Sequence, residues 1–409
     1  MPCSVSVVVV SRDRPDALYL CVLGLSQVQY NAFEIVVVAD AKGLAALDDF
    51  KGKIKAVQFD DANISMARNI GIVHSAGEIV AFIDDDAVPE PTWLTYLITP
   101  FSRDEVSAVG GFVIGRNGIS FQWKARVLDR FGFASKIDVD EENPTILTPP
   151  VGHAVKTEGT NMAVRRSVLV DLEGFDPAYH FYLDETDLNM RLAAANHLTA
   201  IAPLAQVHHG FAQSIRRRGD RVPSDLFDIG ASWAVFQRKF IEEETRKDHW
   251  ASIIKVERKR LIGHMISGGL EPRSIRRLLG RLMDGYKVGL IREIGVGSDL
   301  EVPVTTFRPF PFRLRKYEYL SGRPLAAEKL RLNARKMLDA SKIVTVSILS
   351  ATAIFHRVRF HRDGYWEQSG GLWGKSNRTQ PLVKIWSRKN RVKFEENRVR
   401  LVRSDHCSQ

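Results

Sequence analysis

Apolar residues in the first hundred positions come as short unbroken runs separated by segments of helical spacing. Ser4 to Val10 (SVSVVVV) is β-branched and too short for a helix, which predicts a strand buried on both faces. Arg12 to Pro15 reads as a turn with Pro15 at a helix start, and Ala17 to Val28 has helical spacing. Glu34 to Ala39 predicts a second strand, ending on Asp40, and Lys55 to Phe59 a third. Ser65 to Ser75 is helical, Gly77 breaks it, and Ile79 to Ile83 forms a fourth strand running straight into Asp84, Asp85 and Asp86. This alternation predicts an α/β fold with a mostly parallel sheet, whose ligand crevice lies beyond the carboxyl ends of the strands. Asp13, Asp40 and Asp84 to Asp86 all fall just past predicted strand ends.

Later segments repeat the pattern less clearly. Thr199 to Val207 is strand-like and leads into His208 and His209. Leu226 to Ile241, Trp250 to Ile266, Pro272 to Leu290 and Leu325 to Leu338 have helical spacing, while Ile343 to Leu349 and Arg357 to Phe360 read as strands. Gly364 to Gly371 reads as a glycine-bounded turn. Its Tyr365 and Trp366 suit either a sugar face or core packing. The tail from Lys384 to Arg403 is basic with interspersed apolar residues, fitting an edge strand, a solvent-facing helix or a segment resting on anionic membrane. The expected organisation is an α/β domain over 1–210, a mainly helical extension over 211–340, and a small basic β-containing segment over 341–409.

Composition narrows this picture. With 409 residues, 44% hydrophobic and 26% charged, the chain is long enough for two or three globular domains and is not a disordered or fibrous polymer. Cys3, Cys21 and Cys407 make neither a disulfide framework nor a zinc spacing, which suits a cytoplasmic compartment. No secretory leader is legible, and the apolar stretch near Ile343 to Phe355 is too short and polar to span a bilayer. The formal charge of +10 hides a split. Up to Gly210 there are 17 Lys+Arg against 27 Asp+Glu, a net −10; beyond it there are 41 against 21, a net +20. The basic half suits phosphates or an anionic inner membrane face, or docks on its acidic neighbour. No nucleic-acid partner is expected.

Three consecutive acids at the end of an apolar strand repel one another. A hard cation such as Mg²⁺ or Mn²⁺ neutralises them and keeps phosphate oxygens in its shell; an acidic turn facing solvent is the plainer reading. Asp84 and Asp86 alternate, so both can face one point from an extended segment.

The stretch ISMARNIGIVHSAGEIVAFIDDDAVPEPTWL, from Ile64 to Leu94, closely resembles the signature of family 2 glycosyltransferases of the GT-A fold. It carries Ala67-Arg68-Asn69-Ile70-Gly71, the strand Ile79–Ile83, the D-x-D at Asp84–Asp86 and Pro91-Thr92-Trp93-Leu94 in that family's order. A second block, from Gly159 to Leu192, and a third, Ala205-Gln206-Val207-His208-His209, also match. The resemblance covers about the first half of the chain. It implies an inverting, metal-dependent transfer from a nucleoside-diphosphate sugar to a hydroxyl of a saccharide or lipid-linked saccharide, in cell-envelope polysaccharide synthesis. It implies Asp86 and His209 as ligands of Mn²⁺ or Mg²⁺. Arg12, Asp13, Asp40, Arg68, Asp84 and Asp85 are implied around the nucleotide sugar. Glu185 falls in the slot of the general base, and Asp184, in reversed order from the usual pair, is the reserve for that role. Asp187 is expected to brace Arg191.

Plainer roles stand beside these. Asp40 suits a helix N-cap, Arg68 a helix-surface charge, and Asp184 to Asp187 the first turn of a helix. Ser11-Arg12-Asp13 replaces the family's usual Thr-Tyr-Asn, which leaves the donor's base open. Arg216 to Arg218 suit either a flap gripping a diphosphate or a surface cluster. Three rivals stand: a GT-A module that binds a partner without turnover, a sugar-nucleotide nucleotidyltransferase, and metal-dependent phosphoryl transfer, whose nucleophilic Asp would normally follow the first strand of its domain and not the fourth. The second lacks its expected glycine-rich loop, since Ser11 to Pro15 contains no glycine.

Overall fold

The computed structural model describes residues 3–210, 213–295 and 300–404; Cys407 lies outside the described residues. The first units alternate as expected: β1 (Val5–Ser11), α1 (Pro15–Leu25), β2 (Phe33–Ala39), α2 (Ala41–Ala45), β3 (Lys55–Gln58), α3 (Ile64–Val73) and β4 (Ile79–Asp84). Then come β5 (Ala87–Pro89), α4 (Trp93–Ile98), β6 (Val106–Ile114), β7 (Phe121–Trp123), β8 (Arg126–Leu128), β9 (Ala134–Lys136), β10 (Thr145–Leu147), β11 (Ala154–Val155) and β12 (Met162–Arg165). The domain closes with α5 (Arg166–Asp171), α6 (Asp184–Ala194) and β13 (Leu198–His209).

Local chemistry sets the helix starts. Pro15 stands in the first turn of α1, where its missing N–H costs nothing. Asn63 caps α3 by accepting from the Met66 N–H at 3.1 Å.

The main sheet runs β10-β13-β6-β12-β4-β1-β2-β3. β1 to β4 are mutually parallel along their shared edges, β13 is parallel to β6, and β12 runs antiparallel between β4 and β6. Both faces are covered. Val5, Val7 and Val9 pack with α1 and α4, while Val8 packs with α3, α5 and α6. That is why the strand reads as continuous valine: each side chain, on either face, gains roughly 2 kcal/mol from burial.

Register builds the site's floor. Ser11 pairs with Ala39 and Val10 with Asp84, so the residues following β1, β2 and β4 emerge on one edge. β13 pairs antiparallel with β5, placing His209 opposite Ala87, the residue after the acid triplet.

The extension holds α7 (Phe227–Phe240), α8 (Glu243–Ile266) and α9 (Pro272–Gly289). α7 and α9 touch backbone to backbone: a Cβ on Gly285 would lie 1.8 Å from the Phe227 carbonyl oxygen, and one on Gly230 1.9 Å from that of Leu282. The segment after 300 returns across the first domain, where Phe310 packs on Phe33 at 5.5 Å and bonds its backbone.

The C-terminal unit comprises β14 (Tyr317–Gly322), α10 (Ala327–Asp339), β15 (Ile343–Ser350), β16 (Arg357–Phe360), β17 (Trp366–Gly371) and α11 (Arg388–Arg403). Its sheet order is β14-β15-β17-β16. The expected boundary at 340 falls inside this unit, because β14 pairs with β15 and Ala334 of α10 joins its core. Gly364 does turn, at φ +95°, but the residues after it form strand β17 rather than a longer turn. Tyr365 and Trp366 are core residues. The tail is a helix that faces inward at Arg391, Glu395, Val399, Val402 and Arg403. Among the described residues no helix is long and apolar enough to cross a membrane.

Candidate active site

The acid triplet leaves β4 into three different environments. Asp84 accepts from the Thr160 hydroxyl and from Arg68 Nη2 at 3.5 Å. Asp85 is buried; it accepts from the Ser11 hydroxyl at 2.6 Å and pairs with Arg14 at 3.0 Å. Burial pushes its pKa up to about 7, with Arg14 acting the other way and Asp86 adding repulsion. Asp86 meets Arg14 at 3.3 Å and His209 Nε2 at 3.1 Å.

His209 is held from its other side by Gln122 at 3.2 Å, and its ring lies 5.8 Å from that of Trp123. Ligand atoms of Asp84, Asp86 and His209 all lie within 4.8 Å of one another. Two carboxylates and an imidazole suit Mn²⁺ or Mg²⁺, and the hydrogen bond on the second ring nitrogen fixes the ring. His208 faces elsewhere: it bonds Glu90 at 2.7 Å and packs on Trp366 at 4.6 Å. Strand alternation separates the two histidines.

Asp184 and Glu185 open α6 behind two consecutive left-handed residues, Tyr182 (φ +73°) and Leu183 (φ +66°). Such a pair is strained and persists where the surroundings over-determine it. Asp184 is buried against Arg68, whose guanidinium thereby links the D-x-D to α6. Glu185 is less buried and pairs with Lys156 at 3.3 Å. Burial pushes Asp184 up against the opposing charge of Arg68, with repulsion from Glu185 adding to the rise. Burial also acts upward on Glu185, but Lys156 and Arg68 outweigh it and hold this carboxyl down, at about 2. Asp187 braces Arg191 at 2.7 Å.

Arg14, which pairs with Asp85 and Asp86, also lines a cavity of about 650 Å³, together with Arg12 and Asp13 after β1, Phe59 after β3, and Arg217 and Arg221. Asp40 lies behind this wall. It caps α2 through the Gly43 N–H at 3.3 Å and accepts from the Asp13 N–H at 3.4 Å. Arg216 and Arg218 are engaged by Asp228 and Asp220. Arg217 feels the pull of Asp86 and Asp84 against the burial that lowers its pKa.

Other motif residues hold the frame. Asn161 donates to the Phe112 and Ala205 carbonyls at 3.0 and 2.8 Å and accepts from Trp93 Nε1 at 2.8 Å, tying three strands and α4 together. Asn69 exchanges two bonds with Phe175 at 2.7 and 2.9 Å, fixing the approach to α6. Gly159 leaves room for Arg68, since a Cβ there would lie 2.1 Å from Nη2.

Sequence reading passes over Arg14, Thr160 and Lys156. Arg14 looks like turn chemistry and Lys156 like a surface charge. Only the basic residue next to a strand end, facing three acids, hints at the first.

Residues 6–167 match the family model described as glycosyl transferase family 2. These residues form a family 2 glycosyltransferase domain. The chain is similar to the O-antigen biosynthesis protein RfbC of Myxococcus xanthus, 29% identical over 248 residues, covering 57% of this chain and 19% of that one. It is also similar to the glucosyl-dolichyl phosphate glucuronosyltransferase of Haloferax volcanii, 28% identical over 186 residues, 43% of this chain and 56% of that one. The chain thus spans about a fifth and about half of these relatives. A crystal structure of GalNAc-T7 with UDP, GalNAc and Mn²⁺ aligns over 58% of this chain and 48% of that one, at 14% identity and a TM-score of 0.41. The glycosyltransferase domain supplies β1 to β4, the acid triplet and β12, while Glu185 and His209 follow the matched residues.

Proposed function

We propose that the chain transfers a sugar, with inversion, from a nucleoside-diphosphate sugar to a hydroxyl of a saccharide or lipid-linked saccharide. The observation that carries this is the convergence of ligand atoms of Asp84, Asp86 and His209 beside Arg14, which pairs with Asp86 and lines the cavity. The names of the two relatives, one in O-antigen biosynthesis and one acting on a lipid-linked sugar, support the acceptor class.

Asp86 and His209, with Asp84, would hold Mn²⁺ or Mg²⁺, which when bound neutralises diphosphate charge as a Lewis acid. Arg12 and Asp13 line the base and ribose end, and Asp40 holds the Asp13 backbone in place. Asp85 fixes Arg14, and Arg14 and Arg217 offer guanidinium charge to the departing diphosphate. Arg68 orients Asp84 toward the sugar. Glu185 takes the proton from the acceptor hydroxyl as its oxygen bonds the anomeric carbon, and the bond to the diphosphate oxygen breaks.

The test is thermal shift with a panel of nucleoside diphosphates, in Mn²⁺, Mg²⁺ or EDTA, on wild type and Asp86→Ala. One diphosphate at about 100 times its Kd should add about 2.7 kcal/mol to stability in metal, and nothing in EDTA or in the variant. Indifference of the wild type to every diphosphate would falsify the reading.

A further inference from the structure

Three loops of the C-terminal unit meet on one face. The Gly371 N–H donates to the Ile354 carbonyl at 2.9 Å, the His356 N–H to that of Lys375 at 2.8 Å, and the Lys384 N–H to that of Trp373 at 3.1 Å. These bonds hold residues 352–356, 371–375 and 382–386 side by side. On them Ile354, Phe355, Leu382, Val383 and Ile385 are 63, 55, 66, 57 and 88% exposed. A single exposed aliphatic residue is ordinary; five on loops bonded to one another make a patch that asks for a partner.

Its charge identifies the partner's chemistry. From Gln368 to Phe394 the chain has seven Lys+Arg and no Asp or Glu. The acids bounding this stretch are engaged: Glu367 pairs with Arg331 and Arg359, and Glu395 is buried with Arg391 and Arg398. Within Leu382-Val383-Lys384-Ile385-Trp386 the cation is interleaved with the aliphatic tips. The Lys384 ammonium lies 4.3 Å from the centre of the Trp386 ring, which is half-buried at the border.

Aliphatic tips, basic side chains on long stems and a bordering indole are the composition that enters an anionic lipid interface. A second copy of the chain docking by the same patch would bring two like-charged faces together. We propose that this face docks on an anionic bilayer surface. Leu382, Val383, Ile385, Ile354 and Phe355 enter between headgroups, while Lys384 and Lys389 meet lipid phosphates. Each such cation is drawn to an anionic surface. The inference does not depend on the transferase reading, because vesicle binding and nucleotide binding are read separately.

The experiment is flotation of the full chain with vesicles of phosphatidylcholine alone or mixed with phosphatidylglycerol. Wild type should float with the anionic vesicles, about tenfold less with the neutral ones, and less as salt rises. Leu382→Asp/Ile385→Asp and, separately, Lys384→Glu/Lys389→Glu should each lose about tenfold or more in binding. All four positions are exposed, so melting curves should match wild type; Ile385→Ser is the milder variant if they do not. The proposal is overturned if wild type ignores anionic vesicles, binds both compositions equally, or binds as well after the substitutions. A wild type that is a dimer by light scattering and turns monomeric in Leu382→Asp/Ile385→Asp would also overturn it, assigning the patch to a second copy.

Discussion

Asp184 and Glu185 are neighbours with opposite surroundings, and that contrast yields a prediction. Asp184 is enclosed with the Arg68 guanidinium. Removing one member of a buried pair leaves the other uncompensated, so Asp184→Ala should cost about 3–5 kcal/mol of folding stability, read by denaturant titration. Glu185, paired with Lys156, is the proposed base and should carry chemistry instead. Glu185→Gln should lower kcat by about 10²–10⁴-fold, with a much smaller change in melting temperature. Equal activity in Glu185→Gln and wild type would move the base elsewhere. Lys156 supplies a pH test. Its ammonium is the main influence holding Glu185 low. Lys156→Met removes that charge, so the Glu185 pKa rises and the carboxylate is protonated at higher pH. The acid limb of kcat/KM should therefore move upward; a limb unchanged or moved downward would contradict the pairing.

Among elements, the decisive contact joins α11 to β5. Arg403, at the end of α11, donates twice to Glu90 at 2.8 Å, and Glu90 also bonds His208 next to His209. Burial works against ionisation of Glu90, but Arg403 and then His208 outweigh it and lower its pKa to about 2. A carboxylate lowered on folding stabilises the fold above its unfolded value near 4.5, and this contribution is lost as pH falls through about 2. Arg403→Met should cost about 3–5 kcal/mol. It should also weaken metal binding by loosening the β5–β13 pairing under His209, which calorimetric titration with Mn²⁺ would measure. Undiminished stability would show the clamp to be dispensable. Nothing in the local sequence marks this contact: Glu90 and Arg403 are 313 positions apart. By contrast, β1, β2 and β4 are legible because a strand covered on both faces reads as a nearly continuous apolar run, broken here only by partnered groups such as Ser6 and Glu34. The segment Trp366–Gly371 misleads because Ser369, Gly370 and Gly371 carry turn chemistry, although pairing with β15 and β16 overrides it.

At the scale of the molecule, the transferase domain and the C-terminal unit are stitched by buried contacts. Besides the α11 clamp, Gln29 accepts from the Arg315 N–H at 2.9 Å, Gln27 donates to the Gly364 carbonyl, and Phe310 completes the core beside Phe33. Melting followed by calorimetry should therefore show these two regions unfolding in one transition, and deletion of residues 317–409 should lower the melting temperature of the remainder. A first domain that keeps its transition after deletion would show the two to be independent. The charge split follows the same division, since the acidic half carries the triplet and α6 while the basic half supplies Arg217, Arg403 and the loops with exposed apolar tips.

The sequence by itself determined the alternation of strands and helices, the parallel core and the acids at the strand ends, because these rest on local rules of burial, spacing and turn chemistry. Tertiary structure decided which of those groups meet. His209 reaches Asp86 through the register of β13 on β5, Arg68 joins Asp84 to Asp184 through the packing of α3 beside α6, and Arg403 reaches Glu90 across nearly the whole chain. Ion pairs and hydrogen bonds act over a few ångströms of space, a distance that chain separation does not encode.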